Sequence, residues 1–237
     1  MVQKGKIYLI PNTLGDTPPL EVLPLLVKKA VEHISIFLVE NEKNARRFIK
    51  LVAPKKSQPQ LQIQLINKFT DSTEIPQMLE PCHAGHDIGV ISDAGCPAIA
   101  DPGADVVKEA HQQGLDVVPL VGPSSLLMAL MGSGLNGQQF TFNGYLPIDK
   151  IERRKTLKQL EKASRLNKSA QLFIETPYRN DSLLNTLTAV LSDTTWLCVA
   201  CDISLETEYI KTYQIAEWKI KSVDLNKRPT LFILQSD

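Results

Sequence analysis

The chain has 237 residues, 43% of them hydrophobic, enough to bury a core as one large domain or two small ones. Its 26 Lys and Arg balance 26 Asp and Glu, so the molecule as a whole is no electrostatic magnet for nucleic acid, and any such contact must come from a local basic patch. Four Cys in this length do not make a disulfide framework, and no apolar run approaches membrane-spanning length.

A short strand over residues 7–10 breaks at Pro11, too early for the apolar core of a secretory signal, and a cytoplasmic protein that does not engage a membrane is expected. Apolar residues at helical spacing follow over 20–31, then a strand over 34–39, a helix over 44–52, a strand over 61–66 and a weaker helix over 74–84. Strands over 88–92 and 117–121 complete a strand-helix alternation that argues for βαβ units, right-handed crossovers and a largely parallel sheet. Cys82, His83 and His86 have the chemistry of metal ligands, but beside Gly85 they read as a helix end, and no metal is expected.

Beyond residue 122 the pattern changes. A helix over 124–130, a strand over 140–142, a long charged helix over 150–164 and a strand over 170–175 precede a helix over 183–191 capped by Asn180 or Asp181. Strands over 196–202, 209–214 and 230–234 have short connections, which favours antiparallel pairing. The predicted domains are 1–121 and 122–237. Cys198 and Cys201 form a C-x-x-C inside a buried strand, with the thiols on opposite faces and no second pair to complete a zinc site.

The most informative stretch is Gly89-Val90-Ile91-Ser92-Asp93-Ala94-Gly95-Cys96-Pro97-Ala98-Ile99-Ala100-Asp101-Pro102-Gly103, an apolar strand running into a loop with two Asp, two Gly and two Pro. In open α/β sheets ligands bind beyond the carboxyl ends of strands, where Gly lets backbone approach them closely. The spacing is neither G-x-G-x-x-G nor a Walker loop, so dinucleotide and triphosphate readings are weak. An ordinary turn capped by Asp101 or Asp105 accounts for the spacing equally well.

Three further segments carry chemistry. Gly122-Pro123-Ser124-Ser125 opens a helix whose first turn suits a carboxylate or simple Ser capping. Glu175-Thr176-Pro177-Tyr178-Arg179 ends an apolar strand: Arg179 suits a phosphate, Tyr178 a stacked base and Glu175 general-base work, while an Arg179–Glu175 ion pair around a Pro turn is the plain alternative. On the charged helix, Lys150, Arg154, Lys158, Lys162 and Arg165 share a face, with Arg153 beside them, enough to track a phosphate backbone if the face is more than solvated surface. Arg46, Arg47, Lys50, Lys55 and Lys56 form a second basic group.

The Ser92-Asp93-Ala94-Gly95-Cys96-Pro97 and Asp101-Pro102-Gly103 loop, with Val121-Gly122-Pro123-Ser124-Ser125, Phe142-Asn143-Gly144-Tyr145-Leu146-Pro147 and Glu175-Thr176-Pro177-Tyr178-Arg179, resembles the ribosomal RNA small subunit methyltransferase I family of the tetrapyrrole methylase superfamily over nearly the whole chain. Cys96 stands where that family has Thr, and Tyr178 where it commonly has His. The resemblance implies two α/β domains with a mainly parallel N-terminal sheet, a mixed C-terminal sheet and S-adenosylmethionine in the interdomain cleft. It implies 2′-O-methylation of a cytidine in 16S rRNA, with the small ribosomal subunit or its rRNA as partner and a homodimer as the working form. Cofactor contacts would come from Pro11, Asp93, Ala94, Gly95, Cys96, Asp101, Gly103, Ser124, Ser125, Thr176 and Pro229, and substrate contacts from Tyr178, Arg179, Arg153 and Arg154.

The chain departs from the family at Asn12-Thr13-Leu14-Gly15-Asp16, at Val39-Glu40-Asn41-Glu42 and at Cys201-Asp202-Ile203-Ser204-Leu205, where a basic Arg-Glu-Leu-Thr-Lys run is replaced. Erosion of the substrate side leaves two alternatives open: a methyltransferase acting on a porphyrinoid or other small molecule, and a catalytically silent S-adenosylmethionine-binding homologue.

Overall fold

The apolar runs of the first half pair into one parallel sheet. In a computed structural model that describes residues 3–67 and 69–236, strands β1 (Lys6–Ile10), β2 (Ile36–Val39), β3 (Gln62–Leu65), β4 (Ile88–Ile91) and β5 (Asp116–Pro119) lie in the order β3-β2-β4-β1-β5. Every residue of β2 and β4 is buried, as expected where helices cover both faces. The period-2 alternation divides these residues between two cores. Phe37, Val39 and Ile91 pack with Ala45, Phe48 and Ile49, whereas Ile36, Leu38, Ile88 and Val90 pack with Val106 and Ala110.

Proline decides where the intervening helices break. The helix expected over 20–31 is two, α1 (Pro19–Val22) and α2 (Leu25–His33), because Leu23, forced out of helical geometry by Pro24, is extended at φ −92°, ψ 139°. Helix α3 (Glu42–Val52) is capped by Asn41, whose side chain accepts from the Asn44 amide. The weak helix over 74–84 splits into the single turns α4 (Ile75–Met78) and α5 (Glu80–His83), since Pro81 lacks the N–H that would continue the ladder. Helix α6 (Gly103–Gln112) follows the long loop after β4. The first compact unit is Met1–Ser124 and the second Ser125–Asp237, against an expected division after residue 121.

The second unit opens with α7 (Ser125–Ser133) and continues through β6 (Phe140–Tyr145), α8 (Lys150–Asn167), β7 (Ala170–Ile174), α9 (Asn180–Val190), β8 (Trp196–Cys201), β9 (Tyr209–Gln214), α10 (Ile215–Trp218) and β10 (Thr230–Gln235). Its sheet runs β6-β7-β10-β8-β9, parallel between β6 and β7 and antiparallel elsewhere. The short connections did set the antiparallel pairing of β8 with β9, and β10 inserts between β7 and β8. Phe173 and Phe232 stack at 5.9 Å in its core, and the buried Trp218 donates Nε1–H to the Leu197 carbonyl at 2.8 Å.

Neither Asn180 nor Asp181 caps α9, which starts at Asn180 itself. Asn180 Nδ2 donates to the Arg228 carbonyl at 2.7 Å, and Asp181 Oδ1 accepts from the Leu225 amide at 3.0 Å, so both tie the helix to the segment before β10. Among the described residues no helix is long and apolar enough to cross a membrane, and no three His, Cys, Asp or Glu gather as metal ligands would.

Candidate functional site

Three loops leave the carboxyl ends of the adjacent strands β4, β1 and β5, and Asn12 staples the first two together. Its backbone N–H donates to the Gly95 carbonyl at 2.9 Å, and its Nδ2 donates to the carbonyls of Ser92 and Asp93 at 3.2 Å each. Its own Oδ1 accepts from the Thr13 amide at 2.8 Å, which satisfies this buried amide side chain at both ends. The loop after β5 closes on the others just as tightly. A Cβ on Gly122 would meet Pro11 Cβ at 2.2 Å, so only glycine permits the approach. Gly95 takes φ +68°, and Cys96 Sγ lies 3.3 Å from the Pro123 carbonyl oxygen, with burial pushing its thiol pKa up.

Asp93 and Ala94 are exposed at the rim of this junction. The Asp93 amide donates to Glu40 Oε1 at 3.1 Å, and its carboxylate accepts from Asn44 Nδ2 at 3.2 Å. Asp101 faces inward instead: its Oδ1 accepts from the amides of Ala98 and Gly103 at 2.7 and 2.8 Å. Those bonds hold a loop in which Ala98 and Ala100 adopt φ +66° and +59°, a conformation that residues with a Cβ avoid. Asp101 therefore shapes the loop and supplies the first amide of α6 with an acceptor. Ser124 and Ser125 are both half-buried, Ser125 as the first residue of α7.

A pocket of about 180 Å³ lies between the β1 loop and α3, ringed by Asn12, Thr13, Gly15, Asp16, Asn44 and Asp93, with Leu14, Phe48 and Leu51 on its wall. Arg47 reaches Asp16 at 2.7 Å across its mouth. Asn12, Glu40 and Asn44 are not among the residues that the sequence assigns to a site, and Arg47 enters there only as part of the second basic group. The signal for Asn12 was its place beside Pro11; Glu40 and Asn44 reach the site only because β2 pairs with β4.

In the second unit the β7–β10 ladder ends at Leu231↔Ile174, and beyond it the Lys227 amide donates to the Pro177 carbonyl at 3.1 Å, so the segments holding Thr176 and Pro229 leave the same end of the mixed sheet. The Pro229 carbonyl accepts from the Asp202 amide at 2.9 Å. Asp202 fills the segment where a basic run was missing, and its Oδ2 accepts from Arg228 Nε at 2.7 Å and Thr207 Oγ1 at 2.8 Å.

Glu175, expected as a candidate base, is wholly enclosed. Its Oε1 accepts from the Thr176 amide at 2.7 Å and from Arg179 Nη2 at 2.6 Å, so the ion pair weighed in the sequence is formed. Arg153, expected among the substrate contacts, turns inward with its side chain 5% exposed and sets Nη1 3.8 Å from Glu175 Oε2. The next residue, Arg154, points out with Lys150, Lys158 and Lys162, and Tyr178 is 75% exposed. Arg165 also reaches the surface but donates to Ser236 Oγ at 3.1 Å.

No family model matches the chain. The ribosomal RNA small subunit methyltransferase I of Thermotoga maritima is 30% identical over 189 residues, which cover 80% of this chain and 79% of that protein. The protein of the same name from Escherichia coli O157:H7 is 27% identical over 222 residues, 90% of this chain and 71% of that one. Among solved structures, the methyltransferase CobJ superposes with a TM-score of 0.63 at 15% identity, covering 98% of this chain and 94% of its own. A uroporphyrin-III C-methyl transferase from Thermus thermophilus, complexed with S-adenyl homocysteine, gives 0.55 at 16% identity and covers 98% of each chain. At such identities the two structures bear on the fold, which is that of the tetrapyrrole methylases.

Proposed function

The chain belongs to the ribosomal RNA small subunit methyltransferase I family, and from that premise we propose that it is an S-adenosylmethionine-dependent methyltransferase acting on the 2′-hydroxyl of a cytidine in small-subunit (16S) rRNA. The substrate is the small ribosomal subunit or its rRNA, and the working form is a cytoplasmic homodimer, as the resemblance implies.

The observation that carries the reading is the junction of three strand-end loops in the first unit, where Asn12, Gly95 and Gly122 bring backbone from β1, β4 and β5 within touching distance. Such a junction at the carboxyl edge of a parallel sheet suits a nucleoside-bearing ligand. The donor set fits: Asp93 offers an exposed carboxylate for a ribose diol, steadied by Asn44 and by the Glu40 bond to its amide. Ala94 and the Gly95–Cys96 turn offer main-chain groups with little side chain in the way. When bound, S-adenosylmethionine would supply a sulfonium methyl group for transfer to oxygen, with the thioether S-adenosylhomocysteine as the leaving group and the hydroxyl giving up its proton. The residues of the chain have then to orient the ribose hydroxyl and exclude water. Arg179, Tyr178, Arg154 and the outward lysines of α8 are the groups suited to hold the RNA strand.

The test is incubation of the purified protein and methyl-labelled S-adenosylmethionine with small ribosomal subunits from cells lacking this activity, followed by mass-spectrometric mapping of the label. Label in a 2′-O-methylcytidine is the expected result. Cofactor binding without label in rRNA would overturn the substrate assignment and point to a small molecule or a silent homologue.

A further inference from the structure

Glu175 sits between two guanidinium groups, with its side chain 0% exposed. Arg153 is nearly as deep at 5%, while Arg179 reaches the surface at 35%. Two cations against one carboxylate leave a local surplus of positive charge. Arg153 Nε and Nη1, Glu175 Oε2 and Arg179 Nε are buried without a hydrogen-bond partner. Arg153 Nη2 donates to the Ile148 carbonyl at 3.3 Å, so both guanidinium groups are held, but burying such a cluster costs desolvation that ion pairing often only offsets, and stability is a weak account of it.

The geometry holds one group still. The Thr176 amide fixes Glu175 Oε1, the same oxygen grips Arg179 Nη2, and the 3₁₀ turn Pro177–Arg179 has its φ set by Pro177 at the first position. Arg153 brings a second charge to the opposite oxygen from α8, the helix that also presents Arg154 outward. We infer that Glu175 and Arg153 are positioning residues for Arg179, whose outward edge takes a phosphate oxygen of the RNA strand. The exposed Tyr178 flanks that edge and stacks on a base. Preorganisation of this kind lowers the entropy lost when the strand binds. The inference rests on the rRNA reading above and gives Glu175 a role other than proton abstraction.

The experiment measures binding of the intact chain, with S-adenosylhomocysteine present, to unmethylated small subunits across a salt series for wild type, R179M, R179K, E175Q and the E175Q/R179M double variant. R179M is expected to weaken binding at least tenfold and to reduce the slope of log affinity against log salt by about 0.7, the loss of one phosphate contact to a single strand. R179K restores the slope but not the affinity, because an ammonium lacks the planar guanidinium that lets one edge bond Glu175 while the other faces the phosphate. E175Q weakens binding several-fold at unchanged slope, and the double variant binds no worse than R179M, since Glu175 acts through Arg179. S-adenosylhomocysteine affinity stays within about twofold throughout. Additive losses in the double variant, or an unchanged slope in R179M, overturn the inference. So does an E175Q protein that binds subunits normally yet transfers no methyl group, because Glu175 is then the base. R179K keeps the charge, so the slopes of R179M and R179K still decide whether Arg179 takes a phosphate if E175Q fails to fold. A wild type that shows the Arg179-dependent slope but labels no rRNA leaves the clamp standing and removes the methyltransferase reading.

Discussion

Gly122 and Pro11 meet where a side chain is missing: a methyl group on Gly122 would lie 2.2 Å from Pro11 Cβ and 2.3 Å from Pro11 Cγ. The ring of Pro11 cannot swing away as a flexible side chain would, so Gly122→Ala must part the loops after β1 and β5. Overpacking of this kind costs about 1–3 kcal/mol. S-adenosylhomocysteine affinity, measured by calorimetry, is expected to fall at least about tenfold, with only a few degrees lost in Tm. Undiminished affinity would mean that this junction does not hold the cofactor.

The Asp101 carboxylate is the second control point. Asp101→Ala strips the acceptor from two amides in a loop that already holds Ala98 and Ala100 at positive φ. Leaving part-buried amides unpaired costs about 1–3 kcal/mol, and the expected result is an unfolding free energy from urea titration lowered by that much, with fast amide exchange at Ala98 and Gly103. Asp101→Asn keeps a carbonyl acceptor in place and should recover most of the loss.

The parallel sheet was legible because β2 and β4 are apolar at every position and the helices between them are amphipathic, a pattern that survives without any tertiary information. The loop after β4 was legible from its Asp, Gly and Pro content. Periodicity alone overran the helix breaks at Pro24 and Pro81, since it ignores the missing N–H and the extended residue before proline. The inward turn of Arg153 was hidden for a different reason. On α8 it follows the same basic pattern as Arg154, and only the fold reveals that one of the pair faces a buried carboxylate from β7's end. The contacts of Glu40 and Asn44 with Asp93 depend on strand order, which sequence spacing does not encode.

Cys96 reports on the loop from within. Burial drives the thiol pKa of both Cys82 and Cys198 up to about 11, and that of Cys201 is also raised, first by burial. Those three are enclosed, whereas Cys96 is only half-buried. Maleimide at neutral pH is therefore expected to modify Cys96 alone in the native protein, more slowly than a free thiol because burial raises its pKa too, and faster as pH rises. Saturating S-adenosylhomocysteine should slow the reaction several-fold. Equal rates with and without it would separate Cys96 from the cofactor, and tryptic mapping of the labelled peptide identifies the site.

Glu161 links α8 to the turn before β8, and its charge should be visible in the acid stability of the protein. Its Oε1 accepts from the Ser192 amide at 2.6 Å and Thr195 Oγ1 at 2.7 Å, with Lys158 Nζ 3.6 Å from Oε2 and the side chain 7% exposed. Burial by itself would raise the carboxyl pKa, but the bonds from Thr195 and Ser192 and the charge of Lys158 outweigh it and lower the value overall. A carboxyl whose pKa falls on folding stabilises the native state above its unfolded value, near 4.3, and that contribution is lost as pH drops through the folded value. Glu161→Gln should thus cost about 1–3 kcal/mol at neutral pH, because the amide replaces a charged acceptor in two bonds. The gap between wild type and variant should start to shrink as pH falls through the unfolded value, about 4.3, and close only below the lowered folded value, where the native carboxylate is itself protonated. Urea unfolding of both proteins in neutral and acid buffers decides it: a gap that stays constant with pH would show that Glu161 contributes through packing and not through its charge.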